Sequence, residues 1–284
     1  MLMADDSASA ELEEDAKMNT PRACDFCGRS APEVSLSKEH VFARSLRDTV
    51  RRAEDHTYAS ATDKSGQLKG RKAVRPVAMF DVTSRRVCRE CNSGWMSELE
   101  VAANPVLRRL ISGEATLTGA EVDVVRRWLV KTAVVDHMAE PNSEKPTPTV
   151  DPRDRRTVMD QIPGGWVVTL AVLHPSWRNH THRGSVALPK LRMVDGVEIS
   201  ERFHFATIEI GCMLGTVTGF GRDSDVGAAV VKWITSGMIT SYPSMSRLER
   251  GEAIVLPPAW NPPSVDAIDN LGVEFAGSMY DLGS

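Results

Sequence analysis

The sequence holds no apolar run long enough to cross a bilayer, which removes the membrane-spanning classes and makes the cytoplasm the expected location. Its first twenty residues carry six acidic side chains and a single lysine, the reverse of the basic start and apolar stretch of a secretory leader. An exported, disulfide-built protein is therefore not expected. There is no glycine-rich nucleotide loop, no serine elbow and no internal repeat. Cysteine is scarce as well, at five in 284 residues. With 42% apolar residues the chain has room for one large core or two modest ones.

Four of the five cysteines fall in two Cys-x-x-Cys pairs, Cys24/Cys27 and Cys88/Cys91. Each pair can bring two thiolates to one ion, and together they suit a structural, tetrahedral zinc that closes residues 28–87 into one excursion. Disulfides or a thioredoxin-like dithiol are the competing uses. The dithiol reading wants a strand followed by a helix in a βαβ unit, and the polar turns Asp25-Phe26 and Arg89-Glu90 lack that frame. Cys212, within the apolar run 208–217, reads as a buried small hydrophobe.

The formal charge of −4 conceals a division along the chain: −5 over residues 1–20, +6 over 21–135 and −5 over 136–284. Positive charge gathers around the cysteine motifs. Arg71, Lys72, Arg85, Arg86 and Arg89 bracket the stretch leading to the second pair, where they are candidates for contacting nucleic-acid phosphates. Ordinary solvated arginines would look the same.

Residues 1–20 are acidic and have little to pack, so they read as a disordered tail. A cysteine-bound core over 21–105 follows, then a helical segment over 106–140, a linker or exposed loop over 141–160 and an α+β C-terminal domain over 161–284. In the core, Val34–Phe42 reads as extended, ending near Glu39 and His40, and Val77–Val82 with Arg86–Val87 as a hairpin. Trp95, Leu99, Ala102, Val106 and Leu110 predict a helix, with a kink or break at Pro105, and residues 121–139 predict a second. Strands are expected over 166–173, 185–188, 203–210 and 213–218, and a helix over 226–234. His174, His180 and His182 read as a polar loop rather than a metal site, because no acidic residue lies between them. The proline-rich segment after Ile254 is expected to wrap the surface.

The order Cys24-x-x-Cys27, Glu39-His40-Val41, Cys88-x-x-Cys91-Asn92 resembles the zinc-containing branch of the HNH nuclease superfamily over roughly residues 21–105. The resemblance implies a ββα-metal fold in an α+β protein, with structural Zn²⁺ on the four cysteines. It gives His40 the role of general base, Glu39 that of ligand to a catalytic Mg²⁺ or Mn²⁺, and Asn92 that of completing the metal site. Where the family usually has an asparagine before the second cysteine pair, this chain offers Asp81, Thr83 or Ser84, and Asp81 is the auxiliary candidate. Phe42 stands where the family commonly has proline. The continuation Asn92-Ser-Gly-Trp95-Met is similar to bacterial and phage HNH proteins of similar length.

Such residues match the needs of phosphodiester hydrolysis: a base for water, and an oxygen-rich shell for a divalent cation. Each also has a plainer use. His40 suits a zinc ligand or a buried hydrogen-bonded site, Glu39 the surface, and Asn92 a helix N-cap. The expected function is metal-dependent endonuclease activity on nucleic acid, DNA ahead of RNA. A catalytically inactive zinc-stabilised nucleic-acid-binding protein is the alternative. A scaffold is the third, using a protein partner or homo-oligomer contact in the C-terminal domain.

Overall fold

The computed structural model describes residues 22–50, 79–139, 150–188, 191–192, 198–199, 203–220 and 245–262. The acidic tail, Arg71, Lys72, Val77 and the helix expected over 226–234 lie outside them.

Strands β1 (Leu36–His40) and β2 (Thr83–Cys88) form an antiparallel pair, with Leu36 opposite Cys88 and His40 opposite Thr83. The register steps by one along the way, since Ser37 faces Val87 while Glu39 faces Ser84. Arg85 and Arg86 thus share the single opposing position of Lys38, which is a β-bulge in β2. The bulge explains why two consecutive arginines are both exposed in a strand whose neighbours Ser84 and Val87 are both buried. The described part of the expected partner of β2, residues 79–82, does not pair with it. Met79–Asp81 instead makes one 3₁₀ turn, in which Met79 and Phe80 are buried as core side chains.

After β2 the chain turns through α1 (Arg89–Cys91) and a π-type turn at Asn92–Met96 into α2 (Ser97–Ser112). The irregularity sits at Gly94 (φ −93°, ψ −115°), not at Pro105, which lies inside an unbroken helix. Pro105 frees the carbonyl four residues earlier, that of Val101, a residue 73% exposed where water can take its place. The buried face of α2 is Leu99, Ala103, Val106, Leu107, Leu110 and Ile111; Ala103 is inside where Ala102 was expected.

Strand β3 (Thr116–Leu117) leads to α3 (Gly119–Ala139). Glu121 accepts from the backbone N–H and hydroxyl of Thr118, and Thr118 Oγ1 accepts from the Glu121 N–H, a reciprocal cap that fixes the start of the helix. From Trp128 to Asp136 every residue of α3 is buried, so this helix has no solvent side there and is packed from all directions. Part of the expected linker is helical: α4 (Pro152–Thr157) is capped by Asp151, whose carboxylate accepts from the Arg153 N–H.

The remaining large element is a five-stranded antiparallel sheet in the order β10-β4-β9-β8-β5, from β4 (Val167–Val172), β5 (Thr181–Leu188), β8 (Phe203–Ile210), β9 (Met213–Phe220) and β10 (Ser246–Arg247). Strands β6 (Leu191–Arg192) and β7 (Glu198–Ile199) pair with each other. Gly211, at φ 57°, closes the tight β8–β9 turn as a left-handed residue. Helix α3 lies on the sheet so closely that a Cβ at Gly215 would meet Leu129 Cδ2 at 2.7 Å. The C-terminal segment is extended as expected: β11 (Ile254–Val255) pairs with β3, and Trp260 bridges to Leu173. His182 lies in β5 rather than in a loop, while His174 receives the Ser176 N–H and His180 packs against the Trp177 ring. Cys212 is buried as expected. No helix among the described residues is long and apolar enough to cross a membrane.

Candidate metal centre and the neighbouring hairpin end

The four paired cysteines converge. Cys24 Sγ lies 3.9 Å from Cys91 Sγ and Cys27 Sγ 3.7 Å from Cys88 Sγ, and all four sulfurs lie within 4.8 Å of one another. Sulfurs about 2.3 Å from a tetrahedral zinc stand roughly 3.8 Å apart, so the cluster has the size of a zinc site and is far too open for disulfides. Backbone N–H groups point at two of the sulfurs, Cys88 N at Cys24 Sγ (3.3 Å) and Cys91 N at Cys88 Sγ (3.4 Å). The protons reflect the crowding. Hydrogen bonding, led by that from Cys91, draws the Cys24 thiol down to about 4, while burial pushes Cys88 up to about 11 and the contact with Cys24 raises Cys91. One thiolate is thus favoured at the expense of its neighbours, and a bound dication is what allows all four to ionise.

The first knuckle is anchored twice more. Phe26 meets Trp95 edge to face at 5.3 Å. Asp25 holds both Arg86 (2.5 Å) and Arg155 of α4 (2.9 Å), tying the knuckle to the bulge on one side and to the C-terminal half on the other.

Glu39 and His40 are adjacent in a strand and so face opposite ways. Glu39 is buried, and its carboxylate meets the ammonium of Lys131 at 3.5 Å, which in turn donates to Glu100 at 2.7 Å. Burial raises the Glu39 carboxyl and Lys131 opposes that rise. The His40 imidazole is partly exposed and makes no hydrogen bond to the described residues. Burial lowers its pKa, and Arg44 and Lys38 lower it further, which leaves a neutral imidazole at pH 7. Asn92 donates its amide to Ser37 Oγ (3.1 Å) and to the Lys38 carbonyl (3.4 Å), pinning the helix start against the bulge, while its Oδ1 accepts from none of the described residues. Asp81 is exposed and paired with Arg47. It is also the carboxylate whose charge favours protonation of His40.

The structure thus gathers the four cysteines, and it sets Asn92 beside the strand that carries His40. It does not bring Glu39 to the same side as His40. Of the basic candidates, Arg86 is engaged by Asp25, whereas Arg85 and Arg89 are exposed and without an ion-pair partner among the described residues. Lys38 and Arg44 are in the same condition and were not singled out from the sequence; a basic residue on either side of His40 was the available signal. Lys131 was missed too. The signal was a run, Trp128–Val135, apolar but for Thr132, in which a lone lysine has to be buried and so needs an acid.

Comparison of the chain with protein-family models, with curated proteins and with solved structures gave no match.

Proposed function

We propose that this is a zinc-stapled nucleic-acid-binding protein that grips the phosphate backbone with the cationic end of its β1–β2 hairpin. The observation that carries the reading is that Lys38, Arg44 and Arg85 are exposed and unpaired among the described residues, while Glu39, the neighbour of Lys38 in sequence, is turned inward to Lys131. Cations without an internal partner are free to release counterions by binding phosphates, which gives affinity without base preference. The metal centre supports this role by fixing the base of the same hairpin, where Cys88 pairs with Leu36. The test is fluorescence anisotropy of duplex DNA, single-stranded DNA and RNA across a salt series. Log affinity should fall linearly with log salt, and K38A, R44A and R85A should each reduce the slope by about one without altering base preference. Salt-insensitive binding, or binding untouched by all three, overturns the reading.

His40 supports a second reading, an HNH-type endonuclease using Mg²⁺ or Mn²⁺. A neutral, partly exposed imidazole without a hydrogen-bond partner among the described residues can take a proton from water, and the Asn92 Oδ1, which accepts from none of them, is available to a cation. Cleavage that EDTA abolishes and that His40→Ala lowers by about 10²–10⁴-fold would establish it. Wild-type protein that binds but does not cleave with either cation leaves the binding reading alone.

A further inference from the structure

Lys131 is fully buried on α3, and three elements meet at its ammonium: α3 itself, β1 through Glu39 and α2 through Glu100. Both carboxylates present Oε1 to the same nitrogen, at 3.5 and 2.7 Å. Glu39 is itself 5% exposed, so the ammonium supplies its neutralising charge where water cannot, whereas Glu100 keeps a quarter of its side chain in solvent. On the helix, Lys131 is flanked by Trp128, Leu129, Val130, Thr132 and Val135, all buried, and has no exposed surface toward which to swing.

We infer that Lys131 is the resident cation of a carboxylate pair, standing where a divalent ion would otherwise be held, and that it acts as the positioning residue of the hairpin. Two carboxylates from different elements converging on one point are what a hard cation takes as ligands. Here an ammonium already fills the point, and a metal ion reaches Glu39 only by displacing a side chain that has nowhere to go. Glu39 is therefore withdrawn from metal chemistry. Its contact with Lys131 instead docks β1 on α3 with the Glu39 side inward, which obliges the next residue, His40, to face away. This assignment does not depend on nucleic-acid binding: the salt series above can fail while Lys131 still neutralises Glu39.

The test is Mn²⁺ binding to the zinc-loaded full chain, followed by electron paramagnetic resonance, in wild type, E39Q, K131M and K131M/E39Q. Wild type should show no Mn²⁺ site that E39Q removes. Lys131→Met keeps the length of the side chain without its charge, and should gain one Mn²⁺ per chain that K131M/E39Q loses again. A triple variant, K131M/E39Q/E100Q, covers the case in which K131M alone is too unstable to titrate. By removing the stranded carboxylates it should unfold at a higher urea concentration than K131M. Wild-type Mn²⁺ binding abolished by E39Q overturns the inference, as does a folded K131M that gains no Mn²⁺ or one as stable as the triple variant.

Discussion

The cysteine end and the sheet end of this molecule are held by different means. Around the knuckles the elements are a five-residue strand, a six-residue strand and single helical turns, lengths that do not hold their geometry alone. Four thiolates, an aromatic pair and the Asp25 clamp supply what local structure lacks. At the other end, eight-residue strands β8 and β9 pair along their length, and α3 covers them with Leu129 against Gly215. Apolar burial suffices there. The two ends nevertheless share one continuous hydrophobic cluster, from Cys24 to Leu256, so the difference lies in what fixes the geometry rather than in whether a core exists. A short-element region can be as well ordered as a sheet if a metal replaces the ladder.

The largest effect should come from removing the metal. Structural zinc on thiolates contributes on the order of 10–16 kcal/mol, so chelation or Cys88→Ser should release residues 22–50 and 79–96 first. Amide exchange is the measure: protection in β1 and β2 should collapse while β8 and β9 keep theirs. Equal loss at both ends would show that the metal holds the whole cluster and would erase the contrast.

Leu129→Ala probes the opposite end. It removes the side chain that covers Gly215 and should destabilise the protein by about 2–5 kcal/mol in urea denaturation, with zinc content unchanged. Zinc lost from the folded variant would mean that the sheet end also sets the knuckles.

Acid should act more weakly. His137 and His204 lie 5.2 Å apart between α3 and β8, and both ring nitrogens of the fully buried His204 lack a hydrogen-bond partner among the described residues. Burial, then Arg155 and Arg86, holds His137 down at about 4, and burial followed by His137 holds His204 well below the ordinary imidazole range. Both folded-state values are below the ordinary 6.5, so the unfolded chain takes up protons first as pH falls. The stability contribution is whole above about pH 6.5 and is lost as pH drops toward 4, by roughly 3 kcal/mol for His137. Thermal unfolding against pH should decline over that window, and His204→Phe should make the decline shallower without changing the pH at which zinc leaves. An unchanged decline in H204F would place the acid sensitivity at the knuckles.

The cysteine quartet was legible in the sequence because thiolate spacing is a local signal and only one chemistry uses two such pairs well. The strands expected over 203–210 and 213–218, the second of which runs on to Phe220, were legible for a similar reason, an apolar β-branched run interrupted at Gly211. Period two in a strand also forbids Glu39 and His40 from sharing a face, and that constraint was in the sequence, though a motif that treats them as a pair obscures it. What could not be read was the partner. Lys131 is far along the chain from Glu39, and only the packing of α3 against the hairpin joins them. Pro105 misled because its effect depends on whether the freed carbonyl reaches water, a property of the fold. The pairing of β2 with β1 was hidden by the bulge, which breaks the alternation by which a strand is recognised.

That bulge makes the hairpin a gauge of chain length. At one end the metal centre fixes the phase, Leu36 against Cys88; at the other His40 meets Thr83, one step out of phase. Deleting either Arg85 or Arg86 would close the step and leave one outward arginine opposite Lys38, with Ser84 still inward beside Glu39, whereas deleting a residue outside the bulge would turn one stretch of the strand over. The cysteine cluster and the imidazole are thus joined by about 13 Å of strand that carries one more residue on the β2 side than on the β1 side.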